Sequence, residues 1–195
     1  IKKYFKDERL ERLLFMYSEN ELGQNLAISP ASGNAGYHNC YTGGYIDHIF
    51  NVCKNALKVK ELFVSLGGKV DFTDEELIFT ALHHDLGKLG TKEQLNYIPN
   101  DSKWHVERGE VYKRNPELSY LTATDRTMLL LNQYGVAITE NEYFGIKLTD
   151  GMFDEDNQKY LTGHNGAKAP KYKIQYILHW ADWMSTVIER QNNEI

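Results

Sequence analysis

The ten residues ALHHDLGKLG, 81–90, set two histidines, an aspartate and a lysine in a segment otherwise built of alanine, leucine and glycine. A carboxylate buried without a partner costs several kcal/mol or more, so Asp85 in that setting demands a metal ion or a cationic side chain. The adjacent His84 favours the metal. Imidazole with carboxylate suits Mn, Fe, Co, Ni or Zn, and Mg where oxygen ligands dominate. Two ligands do not hold a catalytic metal, and the chain offers two more of the right type. GGYIDHIFNV supplies His48, and ILHWADWMS supplies Asp182, again an acid among apolar and aromatic residues. The candidate metal set is His48, His84, Asp85 and Asp182. Lys88, three residues after Asp85 and on nearly the same helical face, is placed to hold a phosphate against that metal.

Those groups need elements to carry them. Phe5, Leu10, Leu13, Leu14 and Tyr17 recur at three-to-four spacing and predict an amphipathic helix over 4–17. Ile46, Ile49, Phe50, Cys53, Leu57, Phe63 and Leu66 predict a long central helix over 44–66, opened by Gly43-Gly44 and stopped by Gly67-Gly68. Thr73 with Glu76 forms a capping box, so a third helix starts near Asp74 and runs through the 81–90 motif. A second box at Thr139 and Glu142 opens a helix ending near Asp150-Gly151, and between the two boxes 123–134 reads as helical up to Gly135. The last helix, 172–190, puts Ile174, Ile177, Leu178, Ala181, Met184, Ser185 and Ile188 on one stripe and carries Asp182. Alternating strand patterns are scarce and nothing repeats, so the expected fold is an all-α single domain over 1–195. The Gly- and Pro-containing stretches 23–43 and 150–171 exceed ordinary connectors and are expected to shape a site.

Composition excludes several classes. With 42% hydrophobic and 25% charged residues, and no apolar run near the roughly 18 residues a membrane span requires, a soluble protein is expected. The net charge of -5, from 22 basic and 27 acidic side chains without a long basic tract, argues against stable binding to duplex nucleic acid. Two cysteines, Cys40 and Cys53, and no visible export signal make a reducing cytoplasm the expectation.

A histidine on one helix, a His-Asp pair followed by LGK on a second and an aspartate on a later one resembles the pattern of the HD-domain metal-dependent phosphohydrolases. The correspondence runs from His48 to Asp182, and YHNCYTGGYIDH resembles the entry segment of a bacterial and phage subgroup of that family. The resemblance implies an all-helical HD-type domain with a metal site at its centre and His38 beside the metal, contacting substrate phosphate. Relatives holding two metals carry extra histidines. KLTDGMFD has Thr149 where one of them would stand, which favours one divalent ion, with His105 and His164 as substitutes in a second-metal reading.

The resulting expectation is an enzyme that cleaves a phosphate ester or anhydride of a small nucleotide, either a nucleoside monophosphate or a deoxynucleoside triphosphate. Asp85, Lys88 and His38 are its candidate catalytic groups. Trp104 offers a face for base stacking, while His105, His164 and Lys168 are candidate substrate contacts. His83, offset from His84 around the helix, is structural or supports a ligand, and His179 orients the site or packs. Alternatives are a phosphodiesterase or exonuclease on short oligonucleotides or cyclic nucleotides, and a non-catalytic metal-dependent nucleotide sensor. A homo-oligomer is the partner that general symmetry considerations suggest.

Overall fold

In the computed structural model, which describes residues 2–164, 166, 168, 169 and 172–193, helices dominate and a small two-stranded sheet is added to them. The chain runs α1 (Asp7–Met16), α2 (Gln24–Ile28), α3 (Gly44–Ser65) and α4 (Asp74–His83), then a short hairpin, β1 (Tyr97–Pro99) and β2 (Tyr112–Arg114), with α5 (Lys103–Glu107) between its strands. It continues through α6 (Ala123–Gln133), α7 (Glu140–Lys147), α8 (Glu155–Thr162) and α9 (Ile174–Asn193). No described helix is long and apolar enough to cross a membrane.

Both capping boxes form. The Thr73 hydroxyl accepts the Glu76 N–H at 3.2 Å while Glu76 accepts the Thr73 N–H at 2.8 Å, and Thr139 with Glu142 repeats the exchange. Central helix α3 packs against α4 on one side and α9 on the other, and α7 closes against both of those. Tyr45, Ile49, Val52 and Ala56 of α3 meet Leu77 and Ala81 of α4 and Ile177, Leu178 and Ala181 of α9 in one buried cluster. Arg9 locks α1 on: its guanidinium sits 4.0 Å over the Phe79 ring and donates to the buried Glu142 carboxylate at 2.6 Å.

The expected helical class is borne out, with the small hairpin as an addition, and three finer expectations need correction. Helix α4 stops at His83 instead of running through the motif, so His84 and Asp85 lie in the turn that leaves it, and Leu86–Leu89 is a single 3₁₀ turn. The stretches 23–43 and 150–171 hold α2 and α8. The buried stripe of α9 is rotated from the expected one: Ser185 is buried as expected, but Met184 and Ile188 are exposed and Glu189 is buried instead. Phe50, Leu14 and Leu66 likewise face outward.

The turn after α4 is wedged under α6. Gly87 donates its N–H to the Thr127 hydroxyl at 2.9 Å, and a Cβ placed on it would overlap the Ala123 carbonyl and crowd Arg126. Gly87→Ala is therefore expected to destabilise the chain by about 1–3 kcal/mol, read as a lower denaturation midpoint in urea with an unchanged slope.

Candidate metal centre

Two helix-borne groups, His48 on α3 and Asp182 on α9, converge with two from the turn after α4, His84 and Asp85. His48 Nε2 lies 3.1 Å from Asp182 Oδ1 and 3.8 Å from Asp85 Oδ2; His84 Nε2 lies 3.6 Å and 3.5 Å from the same two oxygens. Ligand atoms about 2.1 Å from one ion stand about 3.4 Å apart at the corners of a tetrahedron, so these separations match a shared cation. His48, His84 and Asp182 form a trio with the donor atoms all within 4.8 Å of one another. Asp85 stands on the flank, where Lys88 Nζ holds its Oδ2 at 2.6 Å.

The ring nitrogens show which way the histidines are aimed. His84 donates Nδ1–H to the Ala81 carbonyl at 2.9 Å, and His48 donates Nδ1–H to Glu189 Oε2 at the same distance. Each leaves Nε2 buried without a hydrogen-bond partner, facing the carboxylates. Buried polar nitrogens left unpaired are costly, and an ion that accepts both lone pairs resolves the cost. Burial alone would lower both imidazoles, but the carboxylates of Asp182 and Glu189 raise His48, and those of Asp85 and Asp182 raise His84. Burial would raise Asp85, yet Lys88 and then His84 hold it well below the usual carboxylate range. The cluster therefore recruits positive charge.

Glu189 was not among the residues expected at the site. It sits two turns beyond Asp182 on the same face of α9, accepts from Asn51 at 2.8 Å as well as from His48, and is buried. The same seam continues with Asn55 donating to Ser185 at 2.8 Å. The seven-residue interval from Asp182 was the available signal, masked because Met184 and Ile188 suggested a different buried stripe. Glu189→Gln keeps the shape but weakens the acceptor that fixes the His48 ring. A roughly 10- to 100-fold weaker metal Kd, measured by competition with a chelating dye, is the expected result.

His38 and Lys88 both line the cleft above the cluster, a space of about 280 Å³ that also takes in Asp85, Asp182, Asp150, His179, Phe153 and Trp183. The His38 ring centroid is 4.5 Å from that of His48, both of its nitrogens are buried and unpartnered, and burial followed by the nearby His48 and Lys88 pushes its pKa down to about 3. It is a neutral imidazole able to donate or accept. Burial raises the Lys88 ammonium's difficulty of ionising, but Asp85 overrides it and keeps the charge. Asp150, at the mouth of the cleft, has its carboxyl raised by partial desolvation and then by the Asp85 and Asp182 carboxylates. His179 donates to the Thr149 carbonyl at 2.6 Å, while the Thr149 hydroxyl is turned back on the Gly145 carbonyl at 2.8 Å.

Other candidates lie elsewhere. His83 is structural: it is sealed beside the Tyr17 and Phe79 rings and donates to the Phe79 carbonyl at 2.6 Å. Trp104 is exposed on α5 with the Arg108 guanidinium 4.5 Å over its ring, and His105 pairs with the Ser102 hydroxyl. His164 and Lys168 are exposed, and none of these four lines the cleft over the cluster. Lys171, a further basic residue of the same loop, GHNGAKAPKYK at 163–173, falls outside the described residues.

No family model matches the chain, and no curated protein or solved structure does so either.

Proposed function

We propose that the chain is an HD-type, metal-dependent phosphohydrolase that cleaves a phosphate ester or anhydride of a small nucleotide. The observation that carries the reading is the pair of buried, unpartnered Nε2 atoms of His48 and His84 aimed at two carboxylates, with an ammonium beside them in an open cleft. The order of elements supports the HD type: a histidine on α3, the His-Asp pair after α4 and an aspartate on α9.

His48, His84, Asp182 and Asp85 would hold one divalent ion of the Mn, Fe, Co, Ni, Zn or Mg group. Such an ion supplies Lewis acidity toward a phosphoryl oxygen and lowers the pKa of a water molecule. The rest is done by the chain. Glu189 fixes the tautomer and tilt of His48. Lys88, beside Asp85 and lining the cleft, would supply a positive charge for phosphate. His38, neutral and without a protein partner, donates to a phosphoryl oxygen. Phe153 and Trp183, stacked with centroids 5.2 Å apart at the rim, offer an apolar face to a base. The free thiols of Cys40 and Cys53 fit a reducing compartment such as the cytoplasm.

The test is a panel of nucleoside mono-, di- and triphosphates, cyclic nucleotides and short oligonucleotides incubated with Mn, Co, Ni or Mg, with products separated by chromatography. Release of phosphate, pyrophosphate or tripolyphosphate identifies the bond cut. Absence of turnover with every metal, alongside tight nucleotide binding, would replace the enzyme reading with that of a sensor.

A further inference from the structure

A second cleft opens on the far side of His38 and Lys88, which line both spaces. Its volume is about 400 Å³, and its walls come from parts of the chain distant in sequence: the 31–38 loop, the hairpin and the end of α9. Those walls are bolted together. Tyr112 donates its N–H to the Gly33 carbonyl at 2.9 Å, Ala35 donates to the Gly109 carbonyl at 2.7 Å, and a Cβ on Gly33 would meet the Tyr112 carbonyl at 2.8 Å.

Arg114 at the end of β2 and Arg190 on α9 both line this cleft. Among the described residues neither forms an ion pair, in a chain whose net charge is -5. Arg190 is partly buried with its Nε unpartnered, and its guanidinium lies 5.3 Å over the Tyr37 ring; that of Arg114 lies 5.2 Å over Tyr120. The Tyr37 ring, which lines the same cleft, thus orients the Arg190 fork, whereas Arg114 is exposed and its Tyr120 contact lies in the adjacent groove; the N–H groups of both remain without a partner among the described residues, the state suited to capturing an anion with directed hydrogen bonds. Tyr97 and Tyr112 add hydroxyls and ring faces, and Glu110 adds an acceptor suited to a sugar hydroxyl or a base amino group.

We propose that Arg114 and Arg190 form a second anion subsite, so that the preferred ligand is a nucleotide carrying a further phosphate beyond the one at His48, His84, Asp85 and Asp182. The chain of phosphates passes His38 and Lys88, the shared wall between the two clefts. A nucleoside monophosphate fills only one of them. The further phosphate belongs to a nucleoside polyphosphate or to the next link of a short oligonucleotide, the same chemistry from two sources. This inference rests on the phosphohydrolase reading for the position of the first phosphate.

Equilibrium binding tests it apart from turnover. Calorimetric titration of the full chain with the divalent ion present compares dAMP, dATP and a 5′-phosphorylated deoxyadenosine dinucleotide, each made with phosphonate or phosphoramidate linkages that resist hydrolysis. At least one of the two longer probes is expected to bind about ten-fold or more tightly than dAMP, one charge-assisted contact being worth at least that factor. A gain confined to dATP assigns a polyphosphate, and one confined to the dinucleotide assigns a phosphodiester chain; either supports the subsite. Arg114→Ala with Arg190→Ala is expected to bring the longer probes down to the affinity of dAMP, with the lysine replacements retaining part of the preference and circular dichroism confirming the fold. Equal affinity for all three probes in the wild type, or a preference that survives the double replacement, would overturn the proposal. Loss of the phosphohydrolase reading is seen separately, as no turnover of any nucleotide with any metal while this binding ratio still judges the subsite.

Discussion

Asp182→Asn is expected to abolish metal binding and turnover together, the latter by a factor on the order of 10³ or more. The reason is connectivity: Asp182 Oδ1 is the oxygen nearest to His48 Nε2, at 3.1 Å, and it also faces His84 Nε2 at 3.6 Å. Asparagine preserves the volume and removes the charge that makes the cluster attractive to a cation. Activity alone would not distinguish a lost metal from a lost proton carrier, so the decisive readouts are metal content after dialysis and thermal unfolding. A ligand that binds only the folded state adds about 2.7 kcal/mol of stability at a hundred times its Kd. Wild-type protein is expected to gain that stabilisation from added Mn, and Asp182→Asn to gain none. Bound metal at wild-type stoichiometry in the variant would remove Asp182 from the ligand set. Full turnover without metal would remove the metal from the mechanism.

The convergence of those four residues was legible in the sequence because rare residue types stood where apolar ones were due. His48 interrupts the buried face of α3, and His84, Asp85 and Asp182 interrupt leucine- and tryptophan-rich runs. Capping boxes were legible for a different reason: Thr73 with Glu76 and Thr139 with Glu142 satisfy helix-end N–H groups by contacts that are entirely local. What escaped was set by distant parts of the chain. Strands of three residues, Tyr97–Pro99 and Tyr112–Arg114, carry no alternation to read and exist because the 31–38 loop and Asn115 tie them down. The end of α4 at His83 is imposed by Gly87 fitting under α6, a contact across forty residues. Glu189 resembled one more charge in a polar C-terminal run until α3 packed against it. Arg114 and Arg190, far apart in sequence, carry no motif at all; only the fold brings them to one cleft.

Lys88 separates the proposed phosphate site from the proposed metal site, and its replacement is expected to have the second large effect. A protonated amine has no lone pair for a cation, so Lys88 is not a ligand. Its ammonium instead holds Asp85 Oδ2 at 2.6 Å, which makes it a competitor for the very oxygen a metal would use. Lys88→Ala removes that competitor. Metal affinity is therefore expected to stay unchanged or to become tighter, while kcat/KM falls by about 10²- to 10³-fold because the charge that would meet the phosphate is gone. Opposite signs in one variant make the experiment discriminating, since a general disturbance of the turn at Leu86–Leu89 would weaken both. His84→Ala supplies the contrast, with loss of metal and of turnover in parallel. Dye competition for the metal and steady-state kinetics on the two variants suffice. If Lys88→Ala instead loses its metal, the ammonium is needed to hold Asp85 in place, and the phosphate-holding charge must be sought in Arg114 and Arg190, across the wall that Lys88 shares with them.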